Sequence, residues 1–313
     1  MRALLPLSVI TTLLITTSGC DDAPPAKAPP NAPNLATSTT SPPPKDPSSP
    51  RNAPLKPDPH WVESHVDDAH QRLSESDAGK ILLKSIEAHG GLSTFFNNGP
   101  LFFRFDDRPL AGAPRDTRQL IDTWSSRASH TLTDAPDVAF GYDGHNAWIA
   151  PANAKLPFNP RYWALTPYYF VALPFVLADP GVLLDYEGKA SFLGQTYEVI
   201  RATFEPGVGD TPDDVYVLYL HPETYRLHAI RYSLSYPGLV PEGGNSPERL
   251  MSYDDPATFH GITLATSHKT YTYDDHQPGD LLTTITLSEI AFQPERTLAD
   301  ILPPKNASLL PGD

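Results

Sequence analysis

A two-residue apolar rhythm, interrupted by short polar turns, recurs through residues 101–292 and constrains this chain more than any other feature. Leu101, Phe103 and Phe105 alternate with Phe102, Arg104 and Asp106, while Glu198, Ile200, Ala202 and Phe204 share one face of the run 197–204. Successive side chains of a strand point to opposite faces, so this period predicts strands. Residues 215–220 and 226–236 flank the turn His221-Pro222-Glu223-Thr224 and read as a hairpin; residues 262–273 and 281–292 form another across a polar turn. Strands of eight to twelve residues joined by short turns predict a mainly β (α+β) domain whose antiparallel sheet is long enough to curl. Many strands carry aromatics on both faces, so one face packs on helix while the other lines something apolar or lies under a second layer.

Helices open the domain. Val62, Val66, Ala69 and Leu73 recur at steps of three and four, giving one apolar stripe. Ser76 or Asp77 caps a second helix through Ile81, Leu82 and Ile86 to His89, where Gly90 and Gly91 stop it. Between the strands lies an apolar segment at 162–177, YWALTPYYFVALPFVL. Pro167 suits a first helical turn and Pro174 a kink or an end. The segment is too short and broken to cross a bilayer. It reads either as a core helix packed on the sheet or as a lid closing an apolar cavity.

The N-terminus carries an address. Met1 and Arg2 precede an aliphatic run, and Thr17-Ser18-Gly19 leads to Cys20, the one cysteine of the chain. Residues 1–19 read as a secretory signal peptide. Cys20 cannot form an internal disulfide, and its place resembles the lipobox of bacterial lipoproteins, with Thr17 where Leu is usual. Residues 20–60 are rich in Pro, Ala, Ser, Thr and Asn and read as a disordered tether; about forty residues at about 3.1 Å each reach on the order of 100 Å. Residues 61–313 remain as a single domain.

That domain is acidic. Of 23 basic and 37 acidic side chains, residues 1–60 hold five and four, leaving 18 and 33, a net of −15. Such a surface repels nucleic acid, so nucleic acid is set aside as a partner. The chain has no nucleophile elbow, zinc helix, phosphate loop or dinucleotide fingerprint, and no catalytic residue, metal or cofactor is assigned. His65, Asp67, Asp68 and His70 lie on the first helix at a spacing that spreads the histidines around it, and Asp274, Asp275 and His276 sit in a turn where Asp is expected anyway. His89 could serve as a base, but a helix C-terminus favours histidine through its dipole alone. Tyr142-Asp143-Gly144, ahead of Trp148, reads as a tight turn between strands.

Four stretches carry a resemblance: KILLKSIEAHGG at 80–91, GYDGHNAW at 141–148, YFVALPFVLADPG at 169–181 and YVLYLHPET at 216–224. Together they resemble an uncharacterised group of bacterial envelope lipoproteins over roughly residues 77–295. The order of helix, long strands and inserted helix is more distantly similar to the LolA/LolB lipoprotein-carrier superfamily. That resemblance implies an incomplete barrel closed by helices, with a cavity for an acyl chain or a lipidated partner. The soluble carrier of that family lacks an anchor, and the acidity of this domain is outside what the resemblance explains. The expectation is a cell-envelope protein, lipid-anchored through Cys20 to the inner or outer membrane, binding an acyl chain, a lipoprotein or another hydrophobic ligand. Phe103, Phe105, Tyr168, Phe170, Phe175 and Leu177 would line its cavity, and Phe175→Arg would block the ligand while the domain still folds. An envelope scaffold with a filled core is the alternative, and a hydrolase with a scattered site the third reading.

Overall fold

A computed structural model of the chain describes residues 51–310, apart from 193, 212, 242, 275 and 276. Cys20, the signal peptide and the tether up to residue 50 lie outside the described residues. Three helices lead, α1 (Pro59–Leu73), α2 (Asp77–Ala88) and α3 (Leu92–Asn97), followed by β1 (Leu101–Pro109), β2 (Arg115–Ile121), β3 (Ala128–Leu132), β4 (Ala139–Tyr142) and β5 (Ala147–Ala150). The inserted segment forms α4 (Pro160–Val171) and a 3-10 turn, Phe175–Ala178. Then come β6 (Val182–Phe192), β7 (Gln195–Phe204), β8 (Val215–Leu220), β9 (Leu227–Ser233) and β10 (Arg249–Ser252). The chain continues through β11 (Asp254–Phe259), β12 (Ile262–Asp274), β13 (Gln277–Phe292) and β14 (Ser308–Leu310).

All fourteen strands belong to one antiparallel sheet, in the order β14-β5-β4-β3-β2-β1-β13-β12-β10-β9-β8-β7-β6, with β11 also on β12. The terminal strands β14 and β6 do not pair with each other, so the curved sheet is an incomplete barrel, closed on its inner face by helices. Two meanders, β1–β5 and β6–β10, are joined in the middle by the long β12–β13 hairpin. Leu101, Phe103 and Phe105 point inward, where Ile262, Leu264, Leu287 and Phe292 meet Leu82 and Ile86 of α2 and Phe95 of α3 in one core. The aromatics of the other face are covered too: Phe192, Tyr197, Tyr219 and Tyr273 form a smaller outer cluster with Val199, Val217 and Leu250.

Local chemistry accounts for the elements. Asp58 caps α1 through the His60 amide (2.8 Å), and Ser76 caps α2 through the Gly79 amide (3.0 Å). Gly90 and Gly91, at φ 118° and 83°, end α2 as expected. His89 is buried at the end of α2, where its Nδ1 donates to the Ser85 carbonyl (2.8 Å) and desolvation lowers its pKa against the rise that bond gives. Asp143 builds the β4–β5 turn by accepting from the amides of His145 (2.7 Å) and Asn146 (2.8 Å). Pro160, not Pro167, takes the first turn of α4; Pro167 lies inside the helix, where it withholds one donor. The packed structure also begins before residue 61. Leu55 is 1% exposed, its amide donates to Arg296 O (2.7 Å), and Pro54 bridges to Thr297.

Candidate functional site

The inserted segment lies against the concave face of the sheet. Asn159 starts α4 by accepting from the Arg161 and Tyr162 amides at 2.9 and 3.3 Å. The apolar residues that follow leave no wholly polar face, so the helix is sequestered rather than laid on the surface. Its ties to the frame include His130 Nε2 donating to Ala164 O (2.9 Å), Tyr168 OH to Thr123 O (3.3 Å), Tyr253 OH to Phe170 O (2.8 Å), Arg72 Nη2 to Ala178 O (2.5 Å) and an Arg161–Asp210 ion pair (2.7 Å).

Phe103, Phe105, Tyr168, Phe170, Phe175 and Leu177 all fall in the one inner core, with exposures from 0% at Phe103 and Leu177 to 7% at Phe170. They touch protein: Phe175 stacks on Phe95 (centroids 4.3 Å apart, 3° between planes), and Phe170 lies 5.1 Å from Tyr232.

Above this apolar layer the concave face turns polar. Strand register sets Phe103 beside Gln119 and Gln119 beside His130, then Asp107 beside Arg115 on one flank and Ile285 on the other, with His268 next to Ile285. Asp107, Gln119, His130 and His268 are all buried. Asp107 pairs with Arg115 and accepts from Thr283. The Arg115 guanidinium lies 4.0 Å above the Trp163 ring of α4, and that of Arg161 lies 3.7 Å from the Tyr142 ring. Gln119 donates to Thr117 (2.9 Å), which leaves its Oε1 without a partner, as are Arg115 Nε and His268 Nε2. An unmet buried acceptor costs about 1–3 kcal/mol, so polar atoms left in this state mark a place to explain.

Desolvation acts on the two histidines of this belt and on the buried phenols of the core. Burial pulls His130 and His268 down to about 4 each, and pushes the phenols of Tyr168, Tyr169, Tyr216 and Tyr253 well above their ordinary value. Since carbonyls can only accept, His130 carries its proton on Nε2 and His268 on Nδ1, facing Ser252 O (3.0 Å). The arrangement is one of two uncharged imidazoles, an amide and an internally paired Asp107–Arg115 over an apolar core, which suits it to binding. Sequence reasoning missed the belt, although the inward parity of Leu101, Phe103 and Phe105 continues to Asp107.

The other clusters stay separate. His65 stacks on Trp61 (4.6 Å) and lies 3.5 Å from Asp179, and among the described residues no three His, Cys, Asp or Glu side chains converge on a metal position. Asp275 and His276 lie outside the described residues. No described helix is long and apolar enough to cross a membrane.

Residues 158–245 match the model of a family of unknown function, DUF6503. No curated protein matches the chain. Among solved structures it is similar to a LolA superfamily protein from Nitrosomonas europaea, at 11% identity and a TM-score of 0.46 over 69% of this chain and 93% of that one. A DUF1329 family protein from Desulfovibrio piger follows at 10% identity and a TM-score of 0.41, covering 75% and 94%. The lipoprotein LppX of Mycobacterium tuberculosis matches at 16% identity and a TM-score of 0.23, covering 51% and 90%.

Proposed function

We propose that this chain is an envelope protein, lipid-anchored through Cys20, that holds an acyl chain or other apolar ligand between the concave face of the sheet and residues 160–178. What carries the reading is the inserted segment: an apolar helix and turn, seated on an apolar sheet face and tied to it by a handful of hydrogen bonds. Displacing it would open a surface able to take one chain at about 25 cal/mol per Å² of apolar area removed from water. The stacked Phe95–Phe175 pair supports a second reading, an envelope scaffold whose core stays filled.

Native mass spectrometry of the full-length protein taken from a bacterial envelope, followed by organic extraction, separates them. The binding reading expects a co-purifying lipid of defined mass. A clean apo mass that added lipids leave unchanged would overturn it in favour of the scaffold. Palmitate labelling lost in Cys20→Ser is the expected signature of the anchor; unlabelled wild type would remove it.

A further inference from the structure

The buried polar belt is unassigned by any property described so far. Phe105, Thr117, Gln119, His130, Trp163 and Pro167 line a cavity of about 10 Å³ that Arg115 also borders, at the lower limit for a single water. Gln119 is 0% exposed, lines this cavity and keeps Oε1 unpartnered; Arg115 Nε is unpartnered beside it. The two residues that carry this acceptor and this donor therefore border one small cavity, whose wall is otherwise largely aromatic, with Phe140 and Phe158 beside Phe105. Its wall on the helix side is Trp163 and Pro167, both on the segment proposed above to move.

The charges of this region cancel. Arg115 is paired with Asp107, and Arg161 with Asp210 at 2.7 Å, while His130 stays neutral. An anionic group brought here would find no free cation among these residues and would lose its hydration uncompensated. A hydroxyl can donate to Gln119 Oε1, and a hydroxyl or ester oxygen can accept from Arg115 Nε, at little cost. We infer that this belt is the seat for the head of the bound lipid, and that the head is uncharged and oxygen-bearing, of the glyceryl-ester kind. The inference rests on the apolar-ligand reading, whose acyl chain would lie along the layer of Phe103 and Phe105 one step below.

The test is competition between monoolein and oleate for the delipidated full-length protein at pH 8, read by native mass spectrometry. The two probes share one acyl chain and differ in the head. Monoolein is expected to bind about tenfold more tightly, the value of one well-made hydrogen bond. Gln119→Leu removes the free acceptor, so it is expected to fold and to bring the monoolein-to-oleate ratio down to about one; a retained preference would overturn the head site. If wild type binds both equally or prefers oleate, the head site is wrong and the apolar-ligand reading stands. If neither probe binds, both fall. Should the variant fail to fold, the wild-type ratio still decides.

Discussion

His130 and His268 are each about 1% exposed and donate to a main-chain carbonyl. Burial keeps both neutral, with folded pKa values near 4 against about 6.5 in the unfolded chain. Between those values the unfolded state binds more protons, so stability rises with pH: it is complete above about 6.5 and falls toward 4. Each ring contributes about 1.4 kcal/mol per pH unit across that window. His89 and His228 shift the same way, whereas Asp214, raised by burial, opposes them. Asp116 and Glu289 are held low by Arg104 and Arg118, so a scan kept above pH 5 leaves them charged. The melting temperature should therefore drop from pH 7 to pH 5, and His130→Gln with His268→Gln should flatten the slope; an unchanged slope would show that these rings do not control it. None of this was legible beforehand. A lone polar residue within an alternating strand reads the same whether it faces water or a buried belt, and only pairing with neighbouring strands decides.

The inserted segment was legible as an element, with Pro174 between its helix and its turn, while its contacts were not. Asn159 and Pro160 supply the start signal, which lies two residues ahead of the apolar run. Phe175 shows what composition leaves out. Because it is 1% exposed and stacked on Phe95, Phe175→Arg would bury an unpaired charge, so the variant is expected to unfold instead of only blocking a ligand. Circular dichroism distinguishes the outcomes, and a native-like spectrum would return the residue to a cavity wall. A gentler probe of the segment is Tyr168→Phe with Tyr253→Phe. Each change removes one phenol-to-carbonyl bond between α4 and its surroundings, worth about 0.5–1.5 kcal/mol, and leaves the ring in place. Hydrogen exchange should quicken in residues 160–178 and stay unchanged in β1. Equal acceleration in both would mean that the segment opens only with the whole domain.

At the scale of the molecule, alternation identified strands and hairpins, since those are local: the 215–220 hairpin starts where expected, and the β12–β13 hairpin reaches closer to its turn than the polar composition suggested. The order of strands is long-range. Nothing in β1 announces that its partner is β13, nearly two hundred residues later, because apolar faces specify burial and not the identity of a neighbour. The same limit hid the contribution of residues 51–58, whose Pro-rich composition reads as tether. Their few apolar side chains are used nonetheless. Leu55 is 1% exposed within the inner core, and around it Leu298 and Ala299 donate to Ala53 O (3.0 Å) and Arg51 O (2.7 Å). These bonds join the entry of the domain to the stretch between β13 and β14, so the two ends of the fold are fastened at one place. Leu55→Ala should then cost about 2–5 kcal/mol, as for other buried leucines truncated without room to collapse. Urea unfolding of the full-length variant measures it: a lowered midpoint with an unchanged slope is expected, and a loss under about 0.5 kcal/mol, the range of ordinary surface changes, would return these residues to the tether.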